Sequence, residues 1–218
     1  MGIRNTFISV LGNKRKRNLT EEYLRKELVT FQTYWNTDWE MDLDKSTFHP
    51  DHRKFTDNTE ADYRCFRGHT EMAKELLEHT RFPYYLILED DAKPQEGWQR
   101  IVENSIDLLN QYEIVSLHAR AIRMRKNMFD YKEHPYVQPG PDRTYSTEIN
   151  WTNGTLAYLI RRDALSRLAF TQYTGVPIDL WLATHYIFCA IQPDTVCFVH
   201  ENKYGSFYDR VSTTEPIQ

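Results

Sequence analysis

Residues 84–92 read Tyr-Tyr-Leu-Ile-Leu-Glu-Asp-Asp-Ala, an apolar run that breaks abruptly into three consecutive carboxylates. A run of this kind is a buried strand, and its abrupt end constrains everything around it. Three adjacent negative charges repel one another and are too costly to desolvate unpaired. They call for a cation, and hard oxygen donors suit Mg²⁺ or Mn²⁺, ions that keep positions open for phosphate oxygens. Strand alternation places Glu89 and Asp91 on one face and Asp90 on the other. The expectation is a metal-diphosphate site at the carboxyl end of a strand. The plainer alternative is an acidic turn leading into the next helix, since Pro94 and Glu96 follow and carboxylates favour helix N-termini.

The chain has 218 residues, 40% of them hydrophobic and 27% charged, enough for one substantial core and expected to form a single domain over residues 1–218. No apolar run is long enough to span a bilayer, and residues 1–12 lack the apolar stretch of a secretory signal. Cys65, Cys189 and Cys197 are odd in number and lack metal-ligand spacing, which fits a reducing, cytoplasmic setting. A net charge of −4 provides no global basic field for nucleic acid.

Periodicity gives an alternating series. Residues 6–11 form a first strand, closed by Gly12-Asn13. Thr20 caps a helix in which Leu24, Leu28, Phe31 and Trp35 recur at helical spacing. A short strand is expected near residues 39–43. A second helix over 61–80 carries a stripe through Cys65, Phe66, His69, Met72, Ala73, Leu76 and Leu77. The acidic strand follows, then a helix over 96–110 and a strand at 114–117 ending at His118. The stretch 126–150 is too long for an ordinary connection and reads as a lid. A strand at 155–160, a short helix at 162–170, a helix from Pro177 to about residue 190 and a last strand at 195–199, ending at His200, complete the series. The expected fold class is α/β, a mostly parallel twisted sheet flanked by helices, with ligands bound beyond the carboxyl ends of its strands. Glu89 to Asp91, His118 and His200 all fall at such ends.

Four segments carry a resemblance: Arg64-Cys65-Phe66-Arg67-Gly68-His69, Tyr85-Leu86-Ile87-Leu88-Glu89-Asp90-Asp91-Ala92, Gly154-Thr155-Leu156-Ala157-Tyr158-Leu159-Ile160 and Pro177-Ile178-Asp179-Leu180-Trp181-Leu182. In this order and spacing the chain resembles nucleotide-sugar glycosyltransferases of the GT-A type, and more narrowly family 25, the lipopolysaccharide and collagen galactosyltransferases. It also resembles compact, virus-encoded glycosyltransferase domains of this size. One departure is Arg67-Gly68, where the family usually carries a small residue and Ser before its His.

The resemblance implies inverting, metal-dependent transfer of a hexose from a UDP-sugar to a hydroxyl of a sugar or glycan acceptor. Inversion requires a base for the hydroxyl and a cation for the leaving diphosphate. On this reading Asp91 is the metal ligand, joined by His200, whose imidazole favours Mn²⁺ over Mg²⁺. Glu89 binds the metal through water or contacts the donor, and Asp90 holds the ribose or the backbone at the strand end. Asp179 is the candidate base, with helix capping as its alternative and His118 and Glu148 as runners-up. Ser9, Val10 and Leu11 lie under the nucleoside, with Arg15, Arg17 and Arg64 as cationic contacts. Trp151, Tyr158 and Trp181 are candidates for stacking on the acceptor. The rival readings are a Mg²⁺-dependent phosphohydrolase and a non-catalytic nucleotide- or glycan-binding module. A receiver domain is disfavoured because its acidic pair would sit at the first strand.

Overall fold

The acidic strand is the third of six in the central sheet. A computed structural model describes residues 3–14, 16–36, 59–118, 154–190 and 197–200. Within these, the order is β1 (Thr6–Asn13), α1 (Leu19–Lys26), β2 (Gln32–Asn36), α2 (Thr59–His79), β3 (Tyr84–Glu89), β4 (Ala92–Pro94), α3 (Trp98–Ile106), β5 (Ile114–Ser116), β6 (Ala157–Arg161), α4 (Arg162–Ala169), α5 (Ile178–His185), β7 (Phe188–Ala190) and β8 (Phe198–His200). The large sheet runs β2-β1-β3-β6-β5-β7, and β4 pairs with β8 in a second, two-stranded sheet. Strands β2, β1 and β3 are mutually parallel, and β5 is parallel to β7. Only β6 is reversed, antiparallel to both β3 and β5. The α/β, mostly parallel architecture is therefore present, with one antiparallel strand beside the acidic one.

Period-two alternation along β3 distributes its side chains between two cores. Leu86 and Leu88 pack with Val10, Leu24, Trp98, Val102 and Phe198 on the face covered by α1 and α3. Tyr85 and Ile87 pack with Phe66, Met72, Leu165 and Leu182 on the face covered by α2, α4 and α5. Both faces of the central strands are dry, as a parallel sheet sandwiched by helices requires. Continuing the alternation directs Glu89 toward α2 and Asp90 toward α1.

Helix α1 begins two residues earlier than its sequence suggests. Asn18 is the N-cap, its side chain accepting from Glu21 N–H at 2.9 Å. Thr20 is instead fully buried, its one hydroxyl proton shared between the carbonyls of Glu89 (2.5 Å) and Ala92 (3.0 Å). The N–H groups of Leu19 and Thr20 both donate to the Asp90 carbonyl, at 2.8 and 3.2 Å. The helix N-terminus is thus fastened to the backbone of the acidic turn.

Four expected elements are redrawn. The helix from Thr20 stops at Lys26, because Leu28 adopts a left-handed φ of 55° and projects into solvent. Phe31 precedes β2 and Trp35 lies in it. Their helical spacing was coincidental; the Val, Thr, Phe, Tyr and Trp of residues 29–35 are strand formers, and an edge on β1 was open to receive them. Helix α3 tightens after Ile106 into a 3₁₀ turn, Asp107–Asn110. Helix α5 ends at His185, and residues 188–190 pair with β5. Strand β8 spans Phe198–His200. The proposed strand at 39–43 and the lid at 126–150 lie outside the described residues. No helix among the described residues is long and apolar enough to cross a membrane.

Replacing Thr20 by Val keeps the shape and removes the donor to two buried carbonyls. Thr20→Val should lower unfolding stability by about 1–3 kcal/mol in urea titration; an unchanged midpoint would show that these hydrogen bonds do not hold the acidic turn to α1.

Candidate functional site

The three carboxylates leave β3 in three directions. Asp90 Oδ2 accepts from Asn13 N–H at 3.0 Å, tying the turn to the end of β1. Burial raises the Asp90 carboxyl above its ordinary range; the charges of Asp91 and Glu89 add to this, outweighing the Asn13 bond and Lys16. Of its two anticipated roles, holding backbone is the one for which the structure supplies a bond.

Asp91 faces β8. Its Oδ2 lies 3.2 Å from His200 Nδ1, a meeting produced by the antiparallel register that sets Ala92 opposite His200. Both side chains are partly exposed. Two cis ligands bound to one ion at about 2.1 Å stand about 3 Å apart, so the separation fits a shared metal. One carboxylate and one imidazole also form a donor set compatible with Mn²⁺. Behind them His118 is buried, donates from Nδ1 to the Phe198 carbonyl at 3.0 Å and sets its ring edge-on to His200 at 5.0 Å. His118 thus buttresses the His200 ring.

Glu89 faces α2. Its Oε1 accepts a short hydrogen bond from the Thr155 hydroxyl and lies 3.6 Å from His69 Nε2. Burial pushes the Glu89 carboxyl up, but His69 and Thr155, aided by His200, more than offset it and hold it below its ordinary value. His69 is wholly buried, with Nδ1 2.9 Å from Tyr158 Oη. Cys65, one helical turn earlier, brings its sulfur to the same point: the donor atoms of Cys65, His69 and Glu89 all lie within 4.8 Å of one another. Burial raises the Cys65 thiol strongly, and the charges of Glu89, Asp179 and Asp62 raise it further. Burial also raises the Tyr158 phenol, with Glu89 adding to it.

Asp179 sits in the first turn of α5, whose preceding residue, Pro177, makes no side-chain cap. Its Oδ2 accepts from Gly154 N–H at 2.9 Å, tethering the segment that enters β6. Its charge reaches Cys65, which places it on the Glu89 side of the site.

The nucleoside-contact residues are more dispersed. Ser9, Val10 and Leu11 are buried in β1, so their side chains are not presented to a ligand. Arg17 is paired with Glu22 through two 2.6 Å bonds, and Arg64 with Glu60. Exposed pairs of this kind contribute at most about 1 kcal/mol, so exchange for a phosphate is inexpensive. Arg15, Glu148 and Trp151 lie outside the described residues. Tyr158 is buried and bonded to His69, the core placement that is the commoner one for an aromatic, so it offers no face to a sugar. Trp181 is half-buried and stacks on His185 at 3.5 Å.

No family model matches the sequence, and neither does any curated protein. Among solved structures the chain is similar to the STIV protein A197, at 12% identity, with 91% of this chain and 95% of that one covered and a TM-score of 0.49. It is also similar to a glycosyltransferase involved in glycosylating the major capsid of PBCV-1, at 13% identity, with coverages of 95% and 100% and a TM-score of 0.43.

Reading the sequence as a chain of faces missed His69. Helical periodicity sets His69 in the apolar stripe of α2, and it is buried there; its polar neighbours come from β3 and β6, as Glu89 and Tyr158. The usable signal was the Cys-x-x-x-His spacing, which puts both side chains on one helix face. Gly68 between them has a packing reason: a Cβ there would come within 2.8 Å of the Asn36 side chain at the end of β2.

A carboxyl whose folded-state pKa is raised contributes stability below its unfolded pKa and loses it as pH rises through the folded value. Asp90→Asn, which keeps an acceptor for Asn13 N–H but carries no charge, should therefore match or exceed the parent stability at pH 7 in chelator. The difference should close toward about pH 4. Urea denaturation across that range checks this; an Asn variant weaker at pH 7 would mean the Asp90 charge itself is required.

Proposed function

We propose that the chain is an inverting, metal-dependent glycosyltransferase that moves a hexose from a UDP-sugar to a hydroxyl of a sugar or glycan acceptor. The observation that carries this reading is the meeting of Asp91 and His200, 3.2 Å apart, beyond the carboxyl end of a central parallel strand. Such strand ends are where open α/β sheets bind nucleotides. The sequence resemblance to family 25 supplies the reaction class.

Asp91 and His200 would hold Mn²⁺, or Mg²⁺, and the ion would neutralise the leaving diphosphate. His118 fixes the His200 ring through its contact with β8. Glu89, engaged by Thr155 and His69 on the α2 side, would reach the donor only through the metal's water, while Asp90 keeps the turn attached to β1. The nucleoside lies along the carboxyl edge of β1, met by backbone there and by Arg17 or Arg64 once they leave their surface pairs, with Arg15 as a third cation. In the displacement, the acceptor oxygen bonds to C1 as the bond from C1 to the diphosphate oxygen breaks, and Asp179 receives the acceptor's proton. The tether from Asp179 to Gly154 sets the orientation of that carboxylate. Trp181, half-buried in the same helix, is the remaining described candidate for stacking on the acceptor.

Calorimetric titration of UDP into the chelated protein tests the donor site. Binding should appear only with Mn²⁺ and vanish in Asp91→Ala; Mn²⁺-dependent affinity that survives this change would remove Asp91 from the metal site. Asp179→Asn should retain donor affinity and lose at least about 100-fold in transfer. Hydrolysis of simple phosphate esters without an acceptor would instead favour a phosphohydrolase, and UDP binding with no turnover a binding module.

A further inference from the structure

A second donor set lies at the same strand end, of different chemistry from the first. Cys65 and His69, four residues apart, share one face of α2 and meet Glu89 from β3, with the sulfur, nitrogen and oxygen all within 4.8 Å. His69 is wholly buried, and its Nε2 makes no hydrogen bond although it lies 3.6 Å from Glu89 Oε1. A buried imidazole nitrogen that faces a carboxylate and a sulfur without a formed hydrogen bond can act as a lone-pair donor once an ion takes the place of the proton between them.

The geometry points to a second metal site, in which Cys65, His69 and Glu89 bind a borderline-soft divalent ion such as Zn²⁺, separate from the Asp91–His200 pair. Tetrahedral Zn²⁺ with sulfur at about 2.3 Å and nitrogen or oxygen at about 2.0 Å spaces its ligand atoms about 3.3–3.6 Å apart. The 3.6 Å between His69 and Glu89 is within about 0.3 Å of the nitrogen–oxygen spacing such an ion needs. A thiolate and a carboxylate together balance the ion's charge, with the thiol proton released to solvent on binding. The outer contacts are also in place. Tyr158 Oη lies 2.9 Å from His69 Nδ1, where it can accept the Nδ1 proton and leave Nε2 for the metal. The Thr155 hydroxyl donates to Glu89 Oε1 and orients the carboxylate. Cys65, His69 and Glu89 supply three donors, so a tetrahedral ion would take its fourth ligand from outside the protein. Bound there, the ion would clamp the end of β3 to α2.

Cobalt substitution tests this on the full chain. One equivalent of Co²⁺ added to the chelated protein should produce a thiolate-to-cobalt charge-transfer band in the near ultraviolet that Zn²⁺ displaces. Cys65→Ser should abolish the band and weaken Zn²⁺ binding by more than about 100-fold, the upper range for losing an outer partner alone. Asp91→Asn and Cys197→Ser should keep the band. A band that survives in Cys65→Ser, or that disappears in Asp91→Asn, overturns the assignment. Because Cys65→Ser could fail to fold, the wild-type protein with one equivalent of zinc also provides a test by X-ray absorption. One sulfur at about 2.3 Å with nitrogen or oxygen neighbours is expected; a shell of nitrogen and oxygen only overturns the proposal. Neither readout depends on UDP or on transfer, so the site stands or falls independently of the proposed reaction.

Discussion

The repulsion among Glu89, Asp90 and Asp91 is the constraint on which the rest of the structure depends. No strand end can keep three adjacent carboxylates in one place without a large electrostatic cost. The fold distributes them: Asp90 binds Asn13 N–H at the end of β1, Asp91 meets His200 on β8, and Glu89 meets His69 and Thr155. Each carboxylate thereby ties β3 to a different part of the chain. The backbone of the turn is used in the same way, since the Asp90 carbonyl receives the first N–H groups of α1 and Thr20 bonds the carbonyls on either side. The acidic turn is an assembly point for five segments, and its chemistry is inseparable from its structural role.

The reversed strand β6 is what completes the Glu89 side. Running antiparallel beside β3, it starts where β3 ends, with Leu88 opposite Ala157 and Glu89 N–H donating to the Leu156 carbonyl at 2.9 Å. A parallel strand in that position would bring its C-terminal residues to the site; the antiparallel one brings its N-terminal approach, Gly154 and Thr155. Those two residues bond Asp179 and Glu89 respectively. One strand direction thus links the candidate base to the acidic motif.

Legibility in the sequence followed how local each determinant is. Strand β3, its acidic end and the separation of Asp90 from its neighbours are consequences of period-two alternation and were readable. So was the α/β class, from strands alternating with helical stripes. The end of α1 was not, because Leu24, Leu28, Phe31 and Trp35 satisfy a helical period by coincidence, and the deciding factors were the left-handed Leu28 and an open edge on β1. The β4–β8 pair escaped for a similar reason: three residues containing Lys93 and Pro94 carry almost no strand signal, and only a partner about a hundred residues away makes them a ladder. His200 was legible as a strand ending, yet what it faces depends on that long-range pairing. His69 was hidden by its own burial, which pattern reasoning takes as evidence for core.

Two donor sets stand at one strand end because Glu89 and Asp91 do not share the face that alternation assigns them: β3 ends at Glu89, and the turn that follows carries Asp91 to β8. Asp91 turns toward His200 at a partly exposed edge, an oxygen and an imidazole without sulfur. Glu89 turns inward, where a sulfur and a buried imidazole wait on a helix face. Metal affinity rises along the first-row series for most sites, so selectivity has to come from ligand type and geometry. A site lacking sulfur, beside one that has it, is less exposed to capture by the softer ion, because the softer ion has a better place to go within a few side chains. Were both sets to bind ions, Cys65 would draw the softer one away from Asp91 and His200, and the three carboxylates that repel one another in sequence would, once separated, sort cations.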